Sequence, residues 1–132
     1  MTDYDDVVED VAADLRRAVG SLKQRYGVAP WRIVVDPGIG FAKTFDQNVT
    51  LLRRLADLKA EVPLEGAGLL VGHSRKGFIG HVLQRDRRTD DTIPAHQRDV
   101  ATAGACAAIV PAADIVRVHN VRAARDALAL AD

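Results

Sequence analysis

The hydrophobic pattern of this chain switches repeatedly between a helical period and short apolar runs. From residue 3 to about 26, Val7, Val8, Val11, Leu15, Ala18, Val19 and Leu22 recur at helical spacing. This predicts an amphipathic helix with Gly27 as its stop. Residues 31–35, "WRIVV", are a short apolar, β-branched run that reads as a buried strand. Asp46 stands where it can cap a second helix, with Val49, Leu51, Leu52, Leu55 and Leu58 on one side. Residues 63–68 read as a loop and 69–72 as a second buried strand. Ser74 can cap a shorter helix reaching Val82 and Leu83, and a polar segment follows over 85–92. Pro94 suits the first position of a helix running to about Val110. Residues 114–118 form a third strand, and 121–131, rich in Ala and Leu, a last helix.

The expected order is α-β-α-β-α-β-α, three strands with four helices. Alternation at this spacing predicts an α/β fold with parallel strands and helical crossovers. Parallel strands are buried on both faces, which fits three candidates that are apolar nearly throughout. In such folds ligands gather beyond the carboxyl ends of the strands. Three polar groups fall there: Asp36, His73-Ser74-Arg75-Lys76, and Arg117-Val118-His119-Asn120.

Composition narrows the classes. The 132 residues are 48% hydrophobic, enough to bury the core of one domain spanning 1–132. Lys plus Arg number 18 and Asp plus Glu number 18, so net charge is zero. No global attraction to nucleic acid or to an anionic membrane follows, and neither is expected as a partner. Cys106 is the single cysteine, which rules out an intrachain disulfide and fits a reducing compartment. The acidic start, "MTDYDDVVED", has no apolar leader core. The longest weakly polar stretch, 101–113, is too short to cross a bilayer and contains Pro111. A soluble cytoplasmic protein is expected. No metal-ligand spacing appears, and His81 and His96 have no evident partners.

Each rim motif has a functional and a plain reading. Asp36 can accept two adjacent N–H donors from a guanidine-like heterocycle edge, and Gly38 and Gly40 leave room for a flat ligand. Asp-Pro-Gly is equally a strong turn tripeptide. In "GHSRKGFIG", Lys76 offers a movable point charge and Arg75 a planar fork. The same string is also an ordinary basic turn before a helix. Arg117 and His119, two apart at a strand end, suit a phosphate. Alternatively His119 is a hydrogen-bonded structural residue and Arg117 the ion-pair partner of a helix acid. Cys106, in an Ala-rich helix, reads as a small core residue.

Taken together, "DPGIGFAKT" (36–44), "SRKGFIG" (74–80) and "RVHNV" (117–121) resemble, in order, the C-terminal part of dihydropteroate synthase. That family is a (β/α)8 TIM barrel of folate biosynthesis. It joins p-aminobenzoate to 6-hydroxymethyl-7,8-dihydropterin pyrophosphate with Mg2+ assisting. The resemblance implies that Asp36 holds the pterin amino and ring nitrogens and that Lys76 touches the pterin ring. Arg117 would stack on the pterin and help hold phosphate, and His119 would be a pyrophosphate ligand. Phe41 and Ser74 would contact p-aminobenzoate. Lys76, Arg117 and His119 are thus the expected catalytic set, with no metal ligand in this chain. Two positions depart from the family pattern: Asn120 replaces the usual Asp, and His73 stands where the family has an apolar or small residue.

A full barrel takes about 250 residues, so 132 residues correspond to the C-terminal segment of an incomplete one. No "NxTPDSF"-like segment, which the family uses for metal and phosphate, is present. The chain alone is therefore expected to be inactive without the N-terminal half. The alternatives are a non-catalytic pterin- or phosphate-binding module and another pterin-binding barrel such as a methyltetrahydrofolate-dependent methyltransferase. Three apolar strands with open edges predict association, either as a homodimer or with the N-terminal half of an enzyme.

Overall fold

The computed structural model describes residues 3–62 and 66–131. Helix α1 runs over Val7–Tyr26, later than the spacing alone predicts, because Asp6 caps it by accepting from the Val8 and Glu9 N–H groups. Gly27, in the left-handed region, closes its far end as expected. Trp31 does not open a strand. It lies in a 3-10 turn, Pro30–Arg32, and is 75% exposed. Strand β1 is only Val34–Val35. The second helix is capped by Thr44 rather than Asp46, through a reciprocal Thr44–Gln47 capping box. That helix breaks at Arg54 into α2 (Phe45–Arg53) and α3 (Leu55–Glu61).

Of the expected loop, residues 63–65 lie outside the described residues, and Gly68 already belongs to strand β2, Gly68–Val71. Helix α4 covers Gly77–Arg87, longer than its apolar pattern predicts. Ser74 does not cap it: Lys76 occupies the cap position and no side chain caps the helix. Pro94 precedes a 3-10 turn, Ala95–Arg98, before α5 takes over at Asp99–Ile109. Strand β3 is Ile115–Val116, and α6 is Val121–Leu128, capped by the Asn120 side chain. Six α-helices result among the described residues, more than the four of the simple alternating order: the β2–β3 crossover carries the two segments read from the sequence, and the β1–β2 crossover also carries two because its helix breaks at Arg54.

The strands are parallel and ordered β1-β2-β3. Val34 pairs with Gly68 and Val35 with Leu69; Leu70 pairs with Ile115 and Val71 with Val116. Sequential order sends every crossover the same way. One sheet face carries Val35, Leu69 and Val71, which are buried with Val8, Leu51, Leu55 and Leu58 in one core. The opposite face is open: Val34 is 53% exposed and Ile115 43%, on either side of Gly68. The expectation of two covered faces therefore holds on the helix side only. Sheets wound in one direction and covered on one side are segments of closed barrels, whose second face is the barrel interior.

Candidate functional site

The site forms where β1, β2 and β3 end. Gly72, directly after β2, is its centre. A Cβ built on Gly72 would lie 3.7 Å from Asp36 Oδ2 and 3.9 Å from Arg117 Cδ. The acid after β1 and the base after β3 therefore flank one side-chain-free position. The Arg117 N–H still bonds the Val71 carbonyl (3.0 Å), which fixes the root of its side chain. Among the described residues the Arg117 guanidinium has no ion pair or hydrogen bond. The helix-acid partner considered for Arg117 belongs instead to Arg75.

Asp36 is both turn and candidate ligand. Its Oδ1 accepts from the Gly38 N–H at 2.7 Å, the local bond that makes Asp-Pro-Gly a turn. Its Oδ2 is the atom that faces Gly72. The loop behind it is held by Asn48, which sequence reasoning missed. Asn48 is buried at the start of α2. Its Oδ1 accepts from the Gly40 N–H (2.6 Å), and its Nδ2 donates to the Lys43 and Thr44 carbonyls. The signal was an amide one turn past a glycine loop, but Asn is also common on solvated helix faces. Lys43 lies beneath the loop and donates to the Gly38 and Phe41 carbonyls. Burial pushes its pKa below the ordinary lysine value, against the pull of Asp36 and Asp14.

Lys76 and Phe41 meet. The Lys76 ammonium sits 3.8 Å from the centroid of the Phe41 ring, which is 66% exposed. A lysine over an aromatic face presents a cation and a stacking surface together. Ser74 is buried and bonded to His119: its Oγ accepts from the His119 N–H (3.2 Å) and lies 3.0 Å from His119 Nδ1. No hydrogen bond joins Arg117 to His119 among the described residues; the imidazole turns to Ser74. Arg75 does not offer a free fork. Its Nε and Nη2 donate to the two oxygens of Asp99 at 2.7 and 2.9 Å. Asp99, with Arg98 and Thr102, was read only as part of a helix, because its partners are distant in sequence. The Arg75 guanidinium above all, and then the Asn120 amide, hold the Asp99 carboxyl below the usual range.

His73 is fully buried, with Nε2 3.2 Å from the Thr102 carbonyl and 3.6 Å from Cys106 Sγ. Burial pushes its pKa down, partly opposed by the Thr102 bond. His81 does have a neighbour, the edge of the Phe45 ring at 6.2 Å. Away from the rim, Arg16 is paired with Glu61, and Arg54 with Asp6 and Asp57. No group of three or more His, Cys, Asp or Glu among the described residues is placed to hold a metal. Magnesium is commonly held by one or two carboxylates together with waters and substrate phosphates. Among the described residues Asp36 is the one carboxylate at the carboxyl ends of the strands, and its Oδ1 is already taken by the Gly38 N–H, so these residues supply at most one oxygen toward such a site. No helix among the described residues is long and apolar enough to cross a membrane.

A parallel sheet wound one way, with an acid, an arginine and a lysine gathered past its strand ends, defines a barrel segment that carries a ligand rim. The chain belongs to the pterin binding enzyme family, which it matches over residues 1–119. It is similar to the dihydropteroate synthase of Synechocystis sp., at 44% identity over 132 residues, covering 100% of this chain and 42% of that relative. The Neisseria meningitidis serogroup C dihydropteroate synthase is 44% identical over 126 residues, 95% of this chain and 41% of that protein. Among solved structures, dihydropteroate synthase from Xanthomonas albilineans in complex with 7,8-dihydropteroate matches with a TM-score of 0.82 and 33% identity. The match covers 97% of this chain and 46% of that one. The same enzyme with 4-aminobenzoic acid matches equally, over 97% of this chain and 43% of that chain. The chain thus spans less than half the length of these relatives, and its three strands are part of an incomplete barrel.

Proposed function

We propose that this chain is the pterin- and p-aminobenzoate-recognising segment of a dihydropteroate synthase, competent only when the rest of the barrel is supplied. The observation that carries this reading is the pairing of Asp36 and Arg117 across Gly72. In it, the Asp36 carboxylate accepts from the amino group and ring N–H of a pterin, through Oδ2 and the remaining lone pair of Oδ1, while the Arg117 plane stacks on the ring. Lys76 donates to the ring from the Phe41 side, and Phe41 stacks on the aromatic amine. Ser74 sits by the carboxylate of that amine.

The reaction forms a bond from the amine nitrogen to the pterin methylene and breaks the methylene–oxygen bond. The bonding pair leaves with pyrophosphate, and the amine nitrogen then loses a proton. Charge grows on the departing oxygens, so cations placed there lower the barrier. Arg117 and His119 are the groups in this chain suited to that task. Any Mg2+ assistance requires oxygen ligands from outside this chain. The half of the barrel that precedes these strands in the relatives is the proposed partner, seated on the open face at Val34 and Ile115. Two-fold self-association is the competing way to cover it.

The test is complementation. The chain is mixed with a separately expressed N-terminal half of a similar synthase, and pyrophosphate release from the two substrates is followed with Mg2+. Activity is expected in the mixture and absent from either part. A mixture that forms a stable complex yet stays inactive overturns the enzymatic reading. It leaves the non-catalytic module, a reading favoured by the chain spanning under half of its relatives.

A further inference from the structure

The two loops that carry the rim residues after β2 and β3 are joined by a closed circuit. Its first arm is Ser74 to His119, through the two contacts at 3.2 and 3.0 Å. The next residue, Asn120, divides its side chain. Its Oδ1 accepts from the Ala123 N–H and caps α6, while its Nδ2 donates to Asp99 Oδ2 at 3.3 Å. Asp99 in turn grips Arg75 with both oxygens, and Arg75 is the covalent neighbour of Ser74. The ring is therefore Ser74, His119, Asn120, Asp99, Arg75 and back.

Arg75 has a backbone reason to be held. Its φ is +59°, in the left-handed region that a β-carbon disfavours. It sits third in the turn closed by the Lys76 N–H on the His73 carbonyl, a position that normally takes Gly or Asn. Other contacts from one side of the α5 start fasten the same residue. Thr102 Oγ1 accepts its N–H at 3.3 Å, and Arg98 Nη1 donates to its carbonyl at 2.8 Å. The strained turn aims Ser74 to one side and Lys76 to the other. A residue in such a conformation persists because its surroundings over-determine it.

We infer that Asp99 is a positioning residue, which fixes the geometry of Ser74 and Lys76 through Arg75 and that of His119 through Asn120. None of the proposed substrate contacts is assigned to it. Among the described residues, its carboxylate is bonded to both loops, to Arg75 after β2 and to Asn120 after β3. The Asn120 amide suits this node because it can donate to a carboxylate; an Asp at 120 would bring a second negative charge instead. The inference rests on the proposed reading for its functional consequence, but the linkage itself stands without any ligand.

The experiment keeps the two apart. Amide hydrogen exchange is measured on the full chain at the Arg75 and His119 N–H groups, with Ala12 and Leu51 as core references. Asn120→Ala, a change in the β3 loop, is expected to accelerate exchange at Arg75 in the β2 loop by roughly five- to tenfold. Asp99→Asn is expected to accelerate both sites and to abolish the extra effect of Asn120→Ala. Asp99→Glu should restore part of the protection. If Asn120→Ala leaves Arg75 unchanged while altering His119, the loops are independent and the inference is wrong. Should Asp99→Asn not fold, Arg75→Lys, which loses the two-pronged bond, carries the same test at His119. Inorganic pyrophosphate, titrated calorimetrically into wild type and Asp99→Glu, supplies the functional arm. A wild type that fails to bind defeats the ligand reading while the exchange data still judge the linkage.

Discussion

Gly40→Ala is the most discriminating single change at the rim, because it acts on backbone and ligand geometry together. Gly40 has φ +77°, and its N–H is tied to Asn48 Oδ1 at 2.6 Å, so the loop cannot rotate away cheaply. Placing an L-residue in that conformation costs about 1–2 kcal/mol. The new methyl would also stand 2.8 Å from Lys76 Cδ, 3.2 Å from Cγ and 3.3 Å from Cε. A lysine stem is flexible, so Lys76 moves rather than the backbone, and its ammonium leaves the Phe41 ring. Losing an exposed cation–π contact costs a further 0.5–1 kcal/mol or so. Gly38→Ala is the control. Its φ is +70°, but its nearest foreign atom is Lys43 Nζ at 3.4 Å, so it bears the backbone cost alone. The expectation is a loss of roughly 1.5–3 kcal/mol for Gly40→Ala and a loss smaller by about 0.5–1 kcal/mol for Gly38→Ala. Urea unfolding at constant m-value measures the difference. The Lys76 ε-protons, shifted by the aromatic ring current, report the contact directly. Equal losses for the two variants, with the Lys76 shift retained in Gly40→Ala, would refute the packing of Lys76 against Gly40.

Two pH effects follow from the charge environment. Asp114 is held below the ordinary carboxyl range by its bond to Lys59, then by the Leu69 N–H, as Asp6 is by Arg54 and Asp99 by Arg75. Depressed folded values mean stability that is complete above the unfolded value near pH 4 and is lost as pH falls through the folded ones. Asp114→Asn, which keeps an acceptor for Leu69, should flatten part of that acid slope in melting curves; an identical slope counts against it. His73 is a buried neutral imidazole, so its contribution is complete above about pH 6.5 and declines as pH drops toward its lower folded value. His73→Gln should remove the decline in that window, and an unchanged profile assigns it to another group.

The order of elements and the rim were legible because both rest on short-range pattern. The strand after Trp31 carried a β-branched run, 33–35, the strand before Gly72 a short apolar one, 69–71, and the rim motifs followed directly. Errors arose where a competing local group won. Thr44 displaced Asp46 because Gln47 could complete a capping box with it. Ser74 did not cap α4 because its hydroxyl was taken by His119, 45 positions away. The Arg75–Asp99 and Asn120–Asp99 bonds span 24 and 21 positions. No spacing rule reaches that far, so the Ser74-Arg75 motif and the Asn120 motif were read separately and Asp99, which joins them, was not singled out.

The same structure explains why the rim residues are held by many contacts and yet expected to act weakly alone. Their backbone supports come from the helix side, which is complete: Asn48 from α2, Asp99 and Thr102 from α5, and the cap of α6. The inner sheet face, with Val34 and Ile115 exposed, lacks the walls that would exclude water. Phe41 and Arg117 are exposed for the same reason. Fixed charges stabilise a developing charge in proportion to how little the medium screens them, and the interaction of two charges at 4 Å falls from about 4 kcal/mol in a protein-like medium to about 1 kcal/mol in water. On the proposed reading, the geometry of recognition is built by half a barrel, whereas the dielectric that would make it catalytic requires closure. That separation is why binding and turnover are expected to part company in this chain, and why supplying the missing strands tests the site more sharply than any change to Arg117 or Lys76.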